Sequence, residues 1–488
     1  MSEKREVNPS LSSNYIFNLA NRIIVLVIPL ITTPYLTRVL GANELGIFNY
    51  ANTIASYYLM ISMMGMSILG NKKVSLARGE RKEKENEIFS RLFFVQIINS
   101  LISIILYLGY ILFICDSNRT VAVLQLLVLI SALFDVSWFY QGLERFKNIA
   151  LRNIIVNCIT TAMIFLLVKS SEDIIIYTVI KCLSVLCSQL VLFISCVKDI
   201  VWVGIKADWL KSTYKELLIL FIPIAAESIF HNMDRVMLGI MVSYSAVAFY
   251  YTSRMITDIP QCFITSINTI MYPRITVLVG QNNTSEAKKL TYYSFVLING
   301  VCVAMAFGIA AIAKDFVALY LGAEYQYCAI CIPWLTPYIV LAAWNGTVRY
   351  QYLIPKSMEK IYSKAIVIGI AFNLIMNFLL IKVIGVLGAI LATVVAELII
   401  ALIQTKPVWK EMDIAKQLRN MSVFFVNGTI MYSIIQFVFV KININLLLKV
   451  IIEISFGAVI YLFLSIFTIT LIDTDIRNEI IHFLKKEN

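Results

Sequence analysis

Residues 386–406 have the sequence VLGAILATVVAELIIALIQTK, in which Glu397 is the only charged residue before the final lysine. A bilayer span needs roughly 20 mostly apolar residues, so this stretch has the length and composition of a transmembrane helix. Similar runs recur throughout the 488-residue chain, of which 59% is hydrophobic and only 15% charged. Soluble domains carry about 25% charged residues. The composition argues against soluble enzymes and nucleic-acid-binding proteins, and predicts an all-α integral membrane protein.

The apolar runs predict fourteen transmembrane spans joined by short connections that leave no room for a soluble domain. We expect an N-terminal lobe at 1–198 (spans 1–6), a cytoplasmic linker with an interfacial helix at 199–214, and a C-terminal lobe at 215–407 (spans 7–12). Residues 408–488 would hold the last two spans and a cytoplasmic tail. The predicted spans cover residues 14–39, 45–70, 88–114, 120–142, 149–168, 173–197, 215–241, 246–272, 290–313, 327–350, 361–381, 386–406, 421–440 and 448–471.

The positions of the basic residues predict the orientation of these spans. The two termini and the connections after even-numbered spans hold 29 of the 41 Lys and Arg residues, the opposite connections hold seven, and five lie within spans. Cytoplasmic loops of membrane proteins collect Lys and Arg, so both termini are expected in the cytosol. The net charge of +11 is then mostly a consequence of topology, and no nucleic-acid partner is expected.

Charged residues inside spans are the candidate functional residues, because each costs about 2.5–3.5 kcal/mol at mid-bilayer by insertion scales. Arginine presents a planar fork that matches phosphate oxygens, so cations at several depths predict an anionic cargo. The alternative is that Arg254–Asp258 and Asp234–Arg235 are pairs that hold packed helices together. The residues predicted to form a cationic cavity are Arg22, Arg254, Arg349 and Lys181.

Acidic residues within spans are candidates for ion coupling. Glu227, His231 and Asp234 are spaced by four and three residues, which places them on one face of span 7. His231 beside Glu227 could relay a proton, although a structural histidine is the alternative. The candidate coupling residues are Glu227, His231, Asp258 and Glu397.

Sequence motifs for catalysis are missing from the chain. No P-loop pattern, nucleophile elbow or metal-ligand cluster occurs, and no outward connection is long enough for a catalytic platform. Cys328 and Cys331 form a single C-x-x-C without a second ligand pair, which indicates buried side chains rather than a zinc site. We therefore expect a transporter that is not an enzyme and that uses no cofactor or metal.

Several motifs resemble the signatures of Wzx-type oligosaccharide flippases of the multidrug/oligosaccharidyl-lipid/polysaccharide exporter superfamily. One runs from Thr33 to Ala51, TPYLTRVLGANELGIFNYA, and a second from Asp135 to Lys147, DVSWFYQGLERFK. Shorter ones are DRVMLG, from Asp234, and YPRI, from Tyr272. The signature residues, which are expected to have structural roles, are Arg38, Asp135, Trp138, Gln141, Glu144, Asp234 and Arg235.

The resemblance implies two six-helix lobes around a central cavity, plus two appended helices. It also implies transport of an undecaprenyl-pyrophosphate-linked oligosaccharide from the inner to the outer leaflet of the bacterial plasma membrane, for surface polysaccharide biosynthesis. The implied partners are this lipid-linked oligosaccharide, membrane lipids and other polysaccharide-assembly membrane proteins. Arg22 and Arg254 lie on spans where related lipid II flippases place cavity arginines.

Two other functions are alternatives to a flippase. A multidrug antiporter of the same superfamily would favour an acidic cavity, with Glu227, Asp258 and Glu397 as its coupling carboxylates. A membrane-embedded glycan polymerase or ligase would need a sizeable outward loop with catalytic residues, and the outward connections are short.

Overall fold

The computed structural model describes residues 27–78, 82–198, 200–204, 207–439, 442 and 444–477, and this part of the chain is helical, without a β-strand. Arg22 lies outside the described residues. The chain divides into two compact units, unit 1 (Met1–Val236) and unit 2 (Met237–Asn488). The division falls within a long helix rather than at the predicted linker, and the predicted lobe boundaries remain a prediction.

Unit 1 is made of helices α1 to α9 and the larger part of α10. Two 3-10 turns, Ala132–Phe134 and Ser171–Asp173, lie among them. The helices are α1 (27–39), α2 (Gly41–Met63), α3 (Met66–Ala77), α4 (Lys82–Phe113), α5 (Arg119–Leu124), α6 (Leu126–Ser131), α7 (Ser137–Gly142), α8 (Phe146–Leu167), α9 (Ile174–Val197) and α10 (Ala207–Met241).

Unit 2 contains the end of α10 and eight further helices. Two 3-10 turns, Ala323–Tyr325 and Lys406–Val408, and a π-helical turn, Arg349–Leu353, complete it. The helices are α11 (Tyr244–Thr257), α12 (Ile259–Gly280), α13 (Thr284–Tyr320), α14 (Cys328–Val348), α15 (Glu359–Ile384), α16 (Val386–Thr405), α17 (Ile414–Phe439) and α18 (Leu446–Ile472).

The helices confirm the predicted membrane architecture. Thirteen helical segments of the described residues are long and apolar enough to cross a bilayer, and they correspond one for one to predicted spans 2–14. The described part of span 1, residues 27–39, is helical as well. The chain is a multi-pass membrane protein.

Three spans are less regular than their hydropathy suggests. Span 2 breaks into α2 and α3 where Met64 and Gly65 adopt left-handed backbone angles, with φ of 37° and 79°. Span 4 is divided into α5, α6, a 3-10 turn and α7. Span 8 is interrupted at Asp258, between α11 and α12, because Pro260 in the first turn of α12 lacks an amide hydrogen to continue the ladder. The interfacial helix expected in the 199–214 linker is not separate, because α10 begins at Ala207 and continues into span 7.

Contacts between connections test the predicted alternation of sides within each unit. In unit 1, Lys73 pairs with Glu216 at 2.7 Å, and both lie at predicted cytosolic ends. In unit 2, Lys416 pairs with Asp475 at 2.5 Å, again from two predicted cytosolic connections. Connections assigned to the opposite side also meet, since Lys449 lies 2.7 Å from Asp315. All three contacts join ends that the span count places on the same side.

Candidate functional site

A buried group of polar side chains lies among α11, α14 and α16 of unit 2; we call it the Arg254 cluster and define it as Arg254, Asp258, Tyr338, Asn345 and Glu397. Arg254 is only 9% exposed. Its Nε donates to both carboxylate oxygens of Asp258, at 3.0 and 3.2 Å. Its guanidinium carbon lies 3.6 Å from the centre of the Tyr338 ring. The buried cation is thus neutralised by a carboxylate one turn away and covered by an aromatic face.

Asn345 connects α14 to α16 within this cluster. Its Nδ2 donates to Oε2 of Glu397 at 2.7 Å and to the backbone carbonyl of Glu397 at 3.1 Å. Both residues are buried. The sequence-predicted residues Arg254 and Asp258 of span 8 and Glu397 of span 12 are therefore joined through Tyr338 and Asn345 of α14.

Arg349 opens the π-helical turn that follows α14. Its Nη2 donates to the Tyr350 hydroxyl at 2.7 Å, and its guanidinium lies 4.5 Å and 4.2 Å from the ring centres of Tyr350 and Tyr362. Its Nε is buried and has no hydrogen-bond partner among the described residues. Arg349 is a cation held by aromatic rings, with one donor still available.

These groups are ordered along α14. Tyr338, Asn345 and Arg349 are spaced by seven and four residues, so they share one helix face. At 1.5 Å per residue, Tyr338 and Arg349 are roughly 16 Å apart along the axis. Arg349 lies nearest the connections predicted to be cytosolic, Glu397 follows, and Arg254 lies deepest. An anion moving along this face would meet two arginines in turn.

Other predicted residues lie in unit 1. On α10, Glu227 and His231 are exposed while Asp234 is buried at 2% exposure. Spacing alone placed all three on one face, but the Asp234 end of that face packs near α2, where Nη1 of Arg235 reaches Oγ1 of Thr53 at 3.5 Å. Lys181 on α9 is half-buried, and among the described residues no ion pair or hydrogen bond engages its ammonium group.

The second signature, Asp135 to Lys147, has a packing role. Trp138 is 1% exposed, and its indole donates to Oε1 of Gln96 at 2.8 Å. Oδ1 of Asp135 accepts from the Ser137 amide at 2.9 Å at the start of α7. Glu144 forms an ion pair with Arg78. Gln141 is half-buried on α7, and Arg38 is exposed and donates to the Pro34 carbonyl at 2.8 Å.

The aromatic partners of the two arginines were missed at the sequence level. Tyr338, Tyr350 and Tyr362 are three of 25 tyrosines, and composition explains most tyrosines as packing or interface residues. A usable signal was present for Tyr338 alone, since it lies seven residues before Asn345 on the face that ends in Arg349.

The family model described as polysaccharide biosynthesis protein matches residues 11–279, more than half of the chain. The chain belongs to this family. An O-antigen transporter of Escherichia coli K12 is 23% identical over 384 residues, covering 76% of this chain and 90% of that protein. A low-salt glycan biosynthesis flippase of Haloferax volcanii is 22% identical over 250 residues, covering 50% and 51%. The resemblance to Wzx-type flippases is confirmed.

Two solved structures of known transporters share the fold of this family member. A structure of the lipid II flippase MurJ, in an inward closed conformation, aligns with a TM-score of 0.72 and 16% identity over 94% of this chain and all of that one. An inward-facing multidrug transporter of the MATE family aligns with a TM-score of 0.57 and 13% identity over 89% and 97%. At these identities the likeness establishes the architecture alone.

Proposed function

We propose that this protein is a flippase that moves an undecaprenyl-pyrophosphate-linked oligosaccharide from the inner to the outer leaflet of the bacterial plasma membrane, by alternating access and for surface polysaccharide biosynthesis. Both termini are cytosolic in this proposal. It is supported by membership of the polysaccharide biosynthesis protein family and by relatives named as an O-antigen transporter and a glycan flippase. The partners are the lipid-linked oligosaccharide, membrane lipids and other polysaccharide-assembly membrane proteins.

The observation that carries the proposal is the state of Arg349. The described residues offer it no ion pair, and its buried Nε donor is unused. Arg349 is partly buried and its guanidinium makes no ion pair among the described residues, so an anionic ligand that forms charge-assisted hydrogen bonds with it is favoured. A pyrophosphate suits the guanidinium because its oxygens match the planar fork. Arg254 on α11, which stacks on Tyr338 at the deeper end of the α14 face, would receive the headgroup next. Arg22 and Lys181 are the further cations of the proposed cavity.

The membrane potential favours the proposed direction. When a pyrophosphate with two negative charges moves from the negative inner side of the membrane to the outer side, the potential favours the movement by roughly 4–5 kcal/mol per 100 mV. This gain requires no chemical step, which agrees with a transporter rather than an enzyme. Glu227, His231, Asp258 and Glu397 remain the candidates if an ion is coupled to the cycle.

The Arg254 cluster is less suited to a drug antiporter of the same superfamily. A cationic drug needs an unpaired carboxylate, whereas the Asp258 carboxylate of this cluster is paired with Arg254 and one Glu397 oxygen accepts from Asn345. Glu227, the third carboxylate considered for an antiporter, lies outside the cluster and is exposed. A resistance assay in a drug-sensitive host tests this alternative, because an antiporter would raise the tolerated drug concentration and a glycan flippase would not.

Deletion of the gene followed by complementation tests the proposal. We expect lipid-linked oligosaccharide to accumulate on the cytosolic leaflet of the deletion strain, and the wild-type gene to clear it. Arg349→Ala should fail to clear it at normal protein abundance, while Lys364→Ala, an exposed cation of the same unit, should behave as wild type. Normal surface glycan in the deletion strain would refute the function.

A further inference from the structure

A cavity of about 390 Å³ lies at one end of unit 2, outside the Arg254 cluster. Its walls come from the end of α12, the first turns of α13, the π-helical turn, the segment before α17 and residue Asp475. We call it the end cavity. All of these segments belong to connections that the basic residues assign to the cytosol. Its volume falls within the range of roughly 300–1,000 Å³ that is usual for small-molecule sites.

Two carboxylates hold the walls together. Glu411 accepts from Lys356 and from the Tyr352 hydroxyl, and these donors hold the pKa of Glu411 below its usual range. Asp473 accepts from the Tyr292 hydroxyl and from Nδ2 of Asn420. The wall tyrosines are therefore oriented before any ligand binds, which lowers the ordering cost of binding.

The groups presented to the cavity combine three chemistries. Lys288 and Lys289 are exposed at the start of α13. Tyr292, Tyr293 and Tyr352 contribute aromatic surface. Gln351 and Gln417 are 1% and 2% exposed, and the amide oxygen of each has no hydrogen-bond partner among the described residues.

Each chemistry selects part of a ligand. Ammonium groups bind phosphate oxygens as point charges. The amide oxygens of Gln351 and Gln417 accept hydrogen bonds, so they favour a ligand with hydroxyl or amide donors. Tyrosine rings pack against a flat ligand face that is partly apolar. A sugar bearing a phosphate meets all three demands, whereas inorganic phosphate meets only the first.

From these contacts we propose that the end cavity is a binding site for a glycosyl phosphate. Two sources carry this chemistry: the headgroup of the lipid-linked cargo, and a soluble sugar phosphate of the cytosol. The first source rests on the proposed function. It is also suggested by position, because Gln351 lies in the same π-helical turn as Arg349, so a sugar held in the cavity would be next to the first arginine of the α14 face.

Binding to the purified full-length protein in detergent tests this site. The soluble probes are N-acetylglucosamine 1-phosphate, galactose 1-phosphate, the free sugars and inorganic phosphate; the lipid probe is farnesyl-pyrophosphate-linked N-acetylglucosamine. We expect at least one glycosyl phosphate probe to bind saturably and about tenfold more tightly than either phosphate or sugar alone. A response limited to the lipid probe identifies the cargo headgroup, and a response to the soluble probes identifies a cytosolic ligand.

Variants locate the binding. The double change Lys288→Ala/Lys289→Ala should weaken binding by about tenfold, while Lys360→Ala/Lys364→Ala, which removes the same charge outside the cavity, should leave it unchanged. Gln417→Leu should weaken binding of the glycosyl phosphate but not of phosphate. No saturable binding by any glycosyl phosphate, equal binding of inorganic phosphate, or equal loss in the two lysine variants would overturn the proposal. None of these outcomes depends on glycan export, so failure of the flippase function is detected separately.

Discussion

The guanidinium of Arg254 stacks on the ring of Tyr338, with 3.6 Å between its central carbon and the ring centre. Because Asp258 binds the same guanidinium through Nε, the arginine is held on two sides and keeps its Nη atoms for other partners. The tyrosine ring face, rather than its hydroxyl, makes this contact.

Tyr338→Leu should therefore reduce glycan export, whereas Tyr338→Phe should retain most of it. A cation–π contact of a desolvated arginine is worth about 2 kcal/mol, which the leucine loses and the phenylalanine keeps. Surface glycan can be quantified with a labelled lectin at matched protein abundance, judged by immunoblot. If the two variants export equally, the ring contact has no role in export.

The two arginines should differ in their tolerance of lysine. Arg349→Lys keeps a charge but loses the planar fork that lies between Tyr350 and Tyr362, so we expect export well below wild type and above that of Arg349→Ala. Arg254→Lys should be as defective as Arg254→Ala, because an ammonium cannot both stack on Tyr338 and bind Asp258 in the same geometry. Complementation of the deletion strain measures both. Full activity of Arg254→Lys would show that charge alone suffices.

Asn345 and Glu397 offer a test by double substitution. Asn345→Leu leaves a buried carboxylate without its donor and should cost about 1–3 kcal/mol of stability. Adding Glu397→Leu removes the orphaned group, so the double variant should recover much of the loss. Thermal unfolding of the detergent-solubilised variants provides the comparison. A double variant less stable than the single one would mean that Glu397 has a stabilising partner besides Asn345.

Gly70 should not tolerate a methyl group. A Cβ at this position would lie 2.7 Å from Cδ2 of Trp138, whereas a Cβ at Gly109 would meet nothing within 4 Å. Gly70→Ala should therefore destabilise the protein by about 1–3 kcal/mol through overpacking, with Gly109→Ala as the matched control. Lower membrane abundance and a lower unfolding temperature are the expected signs. If Gly70→Ala and Gly109→Ala have the same abundance and unfolding temperature, the close contact between Gly70 and Trp138 does not contribute to stability.

The Glu411 contacts should show a defined pH dependence. Hydrogen bonds from Lys356 and Tyr352 lower the pKa of Glu411, so the folded state favours the ionised carboxylate. The stabilisation is present above the ordinary glutamate pKa of 4.5 and is lost as the pH falls through the lowered value. Wild type should thus unfold at a higher temperature than Glu411→Gln by a margin that is constant from pH 7 to pH 5 and shrinks below about 4.5. If the difference in unfolding temperature grows as the pH falls, the pKa of Glu411 is raised in the folded protein rather than lowered.

The sequence predicted the architecture better than the site. Span number and side alternation follow from hydropathy and charge because each bilayer crossing must satisfy the same physical demand. Convergence of Arg254, Asn345 and Glu397 was not predictable, since it depends on which helices pack together. Helix periodicity grouped Glu227, His231 and Asp234, but burial separates them because only the Asp234 end packs near α2. The Asp135 to Lys147 motif did not indicate the partners of Trp138 and Glu144, because Gln96 and Arg78 lie far from it in the sequence.

The interruption of span 8 has a mechanical consequence. Asp258 is both the residue between α11 and α12 and the partner of Arg254, one turn earlier on α11. The Asp258 amide also donates to the Arg254 carbonyl at 2.8 Å, so the joint is tied to Arg254 through both its backbone and its side chain. An anion that competes for Arg254 would remove the side-chain part of this tie and leave the backbone part. Binding of an anion at Arg254 and bending between α11 and α12 would then be coupled through the Arg254–Asp258 pair. A substitution that stiffens the joint would change the affinity for the anion without touching any residue that contacts it.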